Sequence, residues 1–215
     1  MKTLTREMRD ALTPEMVLDV LRRGNDRFVN NLKSNRDLLE QVNATSEGQH
    51  PMAIVLSCID SRTSAELIFD QGLGDIFSCR IAGNVLNEDI LGSMEFACKL
   101  AGSKAIVVLG HSKCGAIKGA CDGAKMGNLT ALLSKIQPAV DMETETTENR
   151  SSSNAEFVER VAQLNVEMVQ RQIVERSDVL AGMLERGEIA LVGGMYDVEN
   201  GTVEFHNALA TASAA

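Results

Sequence analysis

Two unbroken apolar runs stand out from an otherwise mixed pattern: Met52-Ala53-Ile54-Val55-Leu56-Ser57 and Ala105-Ile106-Val107-Val108-Leu109-Gly110. Aliphatic, β-branched runs without alternation predict strands covered on both faces, as in a parallel sheet. Ile76-Phe77-Ser78-Cys79-Arg80-Ile81 and Ile189-Ala190-Leu191-Val192-Gly193 predict two more. Residues 194–201 are expected to turn, with Asn200-Gly201 at the tip, into an antiparallel edge strand at 202–205.

Between these strands the apolar period lengthens to that of helices. Thr13-Pro14-Glu15 combines a hydroxyl cap, a proline whose missing N–H costs nothing there, and an acidic first turn. A helix is therefore predicted to residue 30, with Met16, Val17, Val20, Leu21 and Phe28 as a stripe interrupted by Gly24. Residues 64–70 predict a short helix, Gly72-Leu73-Gly74-Asp75 and Ala82-Gly83-Asn84 two turns, and 88–100 a helix through Ile90, Leu91, Met94, Phe96, Ala97 and Leu100. A long amphipathic helix is expected over 155–176, through Phe157, Val161, Leu164, Val166, Met168 and Val169, and a second to Arg186. Strand and helix alternate, so the fold class is α/β: a mostly parallel central sheet flanked by helices, with an N-terminal helical extension and a C-terminal edge strand. The expected organisation is a single domain over 1–215, with 1–48 as a helical arm and 141–154, which holds Ser151-Ser152-Ser153, as a polar surface loop.

Composition narrows the function. A chain of 215 residues that is 44% hydrophobic can bury one substantial core. The net charge of -9 argues against a surface for nucleic-acid phosphates. No stretch has transmembrane length, and the N-terminus becomes charged too soon for a secretory signal. Five cysteines without small-scaffold spacing read as reduced thiols, so a cytoplasmic setting is expected.

The candidate chemistry sits at the two strand ends. Cys58-Ile59-Asp60-Ser61-Arg62 comes directly after the first apolar run, and His111-Ser112-Lys113-Cys114 directly after the second. Parallel strands deliver the residues at their C-terminal ends to one sheet edge, where open α/β folds place ligands. Thiolate and imidazole suit zinc, and three protein ligands with an open fourth position mark a catalytic rather than a structural site. Cys58, His111 and Cys114 are the candidate ligands. Cys79, Cys98 and Cys121 lack a second such motif and read as small buried hydrophobes. Asp60 and Arg62 bring opposite charges to a buried strand end and predict an ion pair. Gly72-x-Gly74 lacks the third glycine of a dinucleotide fingerprint, and Gly110-His111-Ser112-Lys113 lacks the phosphate-loop pattern.

At these residues the chain resembles the β-class carbonic anhydrases. The resemblance rests on Cys58-x-Asp60-Ser61-Arg62 together with Gly110-His111-x-x-Cys114-Gly115, with Phe69-Asp70-Gln71, Gly74-Asp75-x-Phe77, Arg80 and Ala82-Gly83-Asn84 between them. It runs from the helix containing Asn25-Asp26-Arg27-Phe28 to the strand containing Phe205. It implies zinc on Cys58, His111 and Cys114, and reversible hydration of carbon dioxide to bicarbonate by attack of zinc-bound hydroxide. It further implies Asp60 and Arg62 as catalytic residues, with Asp60 either paired to Arg62 or swung onto the metal in a closed state. Gln49, Phe77, Phe96 and Gly115 fall where the family lines its substrate pocket.

Arg80 and Tyr196 match positions of a regulatory bicarbonate site, but Val55 and Ser57 stand where the regulated, closed group has tryptophan and glycine. The open form is the expectation. Family members are homodimers, often paired into tetramers, so a homodimer or dimer of dimers is implied, with no nucleic-acid or membrane partner. His50 is the candidate proton shuttle. Two alternatives remain: a related zinc hydrolase acting on carbonyl sulfide or carbon disulfide, and a non-catalytic zinc-binding module.

Overall fold

The computed structural model describes residues 3–209, with side chains through 206. The two apolar runs become β1 (Ala53–Ser57) and β3 (Ala105–His111), with every residue buried. With β2 (Ile76–Arg80), β4 (Ala190–Tyr196) and β5 (Val203–Leu209) they form one sheet in the order β2-β1-β3-β4-β5. The first four strands are parallel and β5 closes the edge antiparallel to β4. The α/β architecture read from the alternation is therefore the observed one.

Alternate strand residues serve two cores, which explains why the central strands carry no polar face. Ile54, Leu56, Ile106 and Val108 point into a layer with α5 (Glu88–Glu95), α6 (Gly115–Cys121), α8 (Gln137–Met142), α9 (Ala155–Arg176) and α10 (Asp178–Glu185). Ala53, Val55, Ala105 and Val107 point the other way, toward α2 (Pro14–Val29) and α4 (Ala65–Ile68). Each fully buried aliphatic side chain in these layers contributes roughly 1.5–3 kcal/mol relative to exposure. The remaining helices are α1 (Arg6–Asp10) and α3 (Leu38–Ala44) in the N-terminal arm and α7 (Gly127–Leu133) after α6.

Helix α2 starts where its cap predicts, with Thr13 accepting from the Met16 N–H. Its buried face is Val17, Leu18, Leu21, Gly24 and Asn25, while Met16 is exposed. Gly24 is the contact point, not an interruption: a Cβ there would lie 1.8 Å from the Phe69 carbonyl oxygen. Asn25 then ties α2 to two distant segments. Its Nδ2 donates to the carbonyls of Ile68 at 3.2 Å and Gly201 at 2.9 Å, and its Oδ1 accepts from the Val203 N–H at 2.8 Å. At the end of α4, buried Asp70 accepts from Arg27 and Arg36 and from Ser34, both backbone and hydroxyl.

Several local expectations change. The helix predicted over 88–100 is regular only to Glu95, then loosens by one residue per turn over Phe96–Leu100, with the Ala101 N–H reaching the Phe96 carbonyl at 2.9 Å. That rotation leaves Phe96 and Leu100 exposed rather than in the stripe. The strand predicted to stop at Gly193 continues through Tyr196. Gly193 marks close packing there, not a turn: a Cβ would lie 2.6 Å from Gln170 Oε1 and 2.7 Å from Val166 Cγ1 on α9. The reversal occurs over 197–201, with Gly201 at φ +83° as Asn200-Gly201 suggested.

The segment 141–154 begins inside α8, and its Glu143 is buried, accepting from the Thr146 N–H at 3.0 Å and paired with Arg150 at 2.7 Å. Of the three cysteines read as buried hydrophobes, Cys98 is buried, whereas Cys79 and Cys121 are half-buried against the core. Among the described residues no helix is long and apolar enough to cross a membrane.

Candidate metal centre

The register of β1 and β3 sets the site. Ser57 is paired with Leu109, so Cys58 lies one step beyond β1 and His111 is the last residue of β3. Lys113 adopts a left-handed conformation at φ +58°, which turns the chain so that Cys114 returns to the same edge and caps α6. The ligand atoms of Cys58, His111 and Cys114 all lie within 4.8 Å of one another, and all three residues are buried.

The two sulfurs are 4.0 Å apart, about twice the length of a disulfide bond, so both cysteines are reduced. His111 Nδ1 lies 2.9 Å from the Ser112 carbonyl oxygen, to which it must donate, leaving Nε2 with its lone pair. That Nε2 is buried and has no hydrogen-bond partner among the described residues. A buried polar atom without a partner is costly, and here it faces two thiols, the donor set of a soft or borderline cation. The thiols polarise one another. The Cys114 S–H lowers the Cys58 pKa, aided by His111 and the Gly83 N–H, while the hydrogen bond to Cys58, burial and the Cys58 charge push Cys114 up. One negative charge forms readily, and the second needs a cation.

The loop after Cys58 is braced from several sides. The buried Thr63 hydroxyl contacts the Cys58 and Asp60 carbonyls, each at 2.9 Å. Arg80 donates from Nε to the Cys58 carbonyl at 3.1 Å and from Nη2 to that of Asp60 at 2.6 Å. Asp60 accepts from Arg62 Nε at 2.9 Å, from Nη2 at 2.7 Å and from the Arg62 backbone N–H at 3.0 Å. This bidentate bonding to Arg62 holds the Asp60 carboxyl well below the usual carboxylate range.

The other predicted site residues occupy different parts of the fold. Gly115 opens α6 beside Cys114, with open space where a Cβ would stand. Tyr196 is buried opposite His111 in the β3–β4 register, and its carbonyl accepts from the Ser112 N–H at 2.9 Å. Gln49 and His50 lie together in a depression bordered by Arg6, Arg9 and Leu100. Phe77 and Phe96 meet edge to face at 6.3 Å beside a groove that also includes Cys79 and Gly92. None of the three candidate ligands borders either hollow. Thr63, the Gly83 N–H and Arg80 as a brace escaped the sequence reading; the signals available were only a short turn motif and a cation near a strand end.

A parallel α/β sheet that delivers two thiols and an imidazole to one buried point defines a protein with a Cys-His-Cys centre able to bind a metal. A family model described as Carbonic anhydrase matches residues 53–203. The chain is 33% identical over 204 residues to the carbonic anhydrase of Mycolicibacterium smegmatis, covering 91% of this chain and 95% of that protein. It is 31% identical over 194 residues to carbonic anhydrase 2 of Mycobacterium tuberculosis, covering 87% and 90%. The solved β-carbonic anhydrase CafA of Aspergillus fumigatus superposes with a TM-score of 0.70 at 29% identity, over 79% of this chain and 81% of that one. The chain belongs to the β-carbonic anhydrases, enzymes of carbon dioxide and bicarbonate.

Proposed function

We propose that this chain catalyses the reversible hydration of carbon dioxide to bicarbonate and a proton, with zinc held by Cys58, His111 and Cys114. One observation carries the reading: two thiols and an imidazole nitrogen that has no hydrogen-bond partner among the described residues are gathered within 4.8 Å at a buried sheet edge. Bound by these three residues, the ion would supply a Lewis acid that makes hydroxide, the nucleophile carbon dioxide requires, available near neutral pH.

The chain's own residues position that chemistry. Asp60 stays ionised beside Arg62 and is therefore an acceptor only, suited to taking a hydrogen bond from the attacking group and fixing the direction of its remaining lone pair. Its two hydrogen bonds from the Arg62 guanidinium support the open arrangement, in which the carboxylate would not occupy the metal's free position. Arg80 is assigned to bracing the loop; an anion site built from Arg80 and Tyr196 would compete with the bonds to the Cys58 and Asp60 carbonyls.

Purified protein is expected to contain one zinc per chain by mass spectrometry and to accelerate carbon dioxide hydration in a stopped-flow indicator assay. Zinc-loaded protein without hydration activity, tested beside carbonyl sulfide and carbon disulfide, would overturn the assignment.

We further propose a homodimer or dimer of dimers, in which Gln49, Phe77 and Phe96 line the neighbouring subunit's pocket. That the ligands of their own chain do not line the hollows these residues border supports this, as do the exposed apolar side chains of Ile59, Leu67, Phe96 and Leu100. Sedimentation velocity is expected to give a dimer or larger species; a stable, active monomer contradicts it.

A further inference from the structure

The apolar face of α9 buries Val158, Val161, Ala162, Val166 and Val169, and in its middle stands Asn165, 0% exposed. An amide placed there without a compensating bond costs roughly 1–3 kcal/mol, and among the described residues only its Nδ2, not its Oδ1, has a hydrogen-bond partner, which shows what it is for. Asn165 Nδ2 donates to the Gly83 carbonyl at 2.9 Å. The N–H of the same residue donates to Cys58 Sγ at 3.4 Å. Gly83 takes a left-handed conformation at φ +67°, and a Cβ there would lie 2.6 Å from Ile136 Cδ1. The backbone at 83 thus has no side chain of its own to hold it, and Asn165 grips it from the far side.

An N–H directed at a ligating sulfur withdraws electron density from it and fixes its orientation, as hydrogen bonds behind metal ligands generally do. We propose that Asn165 is a positioning residue of the metal centre: by holding the Gly83 carbonyl it fixes the left-handed turn at residue 83, which keeps the N–H of the preceding peptide unit on Cys58 Sγ and sets the donor strength of that sulfur. Asp60 and Arg62 lie on the Cys58 loop itself, whereas Asn165 reaches the sulfur through a separate backbone segment. The inference rests on the metal reading above, and its test separates the two.

The test uses cobalt(II) in place of zinc, whose thiolate-to-metal charge-transfer band reports sulfur donation independently of turnover. Asn165→Leu keeps the side-chain volume near the original and removes the donor. It is expected to shift that band and to speed release of the metal to a chelator by roughly tenfold or more. Ile173→Ala, on the same buried helix face but without a bond to Gly83, is the control; it is expected to lower thermal stability while leaving band and release rate as in the wild type. Should Asn165→Leu fail to fold, Asn165→Ser, whose hydroxyl is too short to replace the amide, is expected to show the same shift.

A folded Asn165 variant with unchanged band and release overturns the proposal. So does a release rate that rises in Ile173→Ala in proportion to lost stability. A wild-type chain without any thiolate-to-cobalt band would remove the metal reading itself.

Discussion

Replacing Cys114 with serine is expected to abolish stoichiometric zinc binding and to lower carbon dioxide hydration by far more than the roughly 10- to 100-fold that loss of a group behind a ligand costs. The substitution isolates the metal chemistry because of where Cys114 stands. It is the cap residue of α6, and serine is among the preferred caps, so the helix start should survive the change. A hydroxyl gives up its proton far less readily than a thiol, so the cation would face one thiolate and one imidazole. Metal content, stopped-flow hydration and circular dichroism on one preparation check the three claims together. Full zinc occupancy with hydration within a few-fold of the wild type contradicts them.

The largest expected effect on stability lies elsewhere, at Asp70. Its carboxylate is buried and joined to Arg27 and to Arg36, whose side chain is 8% exposed. Asp70→Asn removes the buried carboxylate that both guanidiniums share, a change that costs about 3–5 kcal/mol when one partner of a buried pair is removed. Urea denaturation should show it. A loss below ~1 kcal/mol, the value of an exposed pair, would contradict the burial argument.

The pH dependence has a definite sign. Burial pushes the Asp70 carboxyl up, but the bonds from Arg27, Arg36 and Ser34 outweigh it and hold it at about 2. A depressed folded-state value stabilises the protein above the unfolded carboxyl's value of roughly 3.9, and that stability is lost as pH falls from there through about 2. The gap between wild type and Asp70→Asn should therefore narrow as pH is lowered below about 4. A gap that stays constant into that range would show that the carboxylate's charge is not what the arginines answer.

The ligand triplet was legible in the sequence because its two determinants are local. A continuous aliphatic run announces a buried parallel strand, and the residues just past two adjacent strands arrive at one edge; Cys58 and His111 needed no further information. Asp60 and Arg62 were legible for a similar reason, being two residues apart beside that edge.

What could not be read depends on partners distant in the chain. Periodicity assigns a residue to a face but does not say when a helix loosens by one residue, so the single stripe drawn through Phe96 and Leu100 does not continue past Glu95. Glycine marks both turns and close packing, and Gly193 proved to be packing because α9 lies over it. Asn165 sits among apolar neighbours with nothing local to name Gly83 as its partner. Gln49 and Phe77 carry no intrinsic sign of where their side chains end, and within the chain they border hollows away from the ligands.

The glycines beneath α9 have a mechanical consequence. A Cβ at Gly110 would lie 2.6 Å from Val166 Cγ2 and 2.7 Å from Met195 Sδ, and Gly193 is equally crowded. The helix therefore rests almost on bare backbone just before His111, with no room left for a methyl group between them. Val166 is the next residue after Asn165. A single added methyl at position 110 would press on Val166, one residue from the amide that grips residue 83, and so strain the centre from behind without replacing any of its ligands.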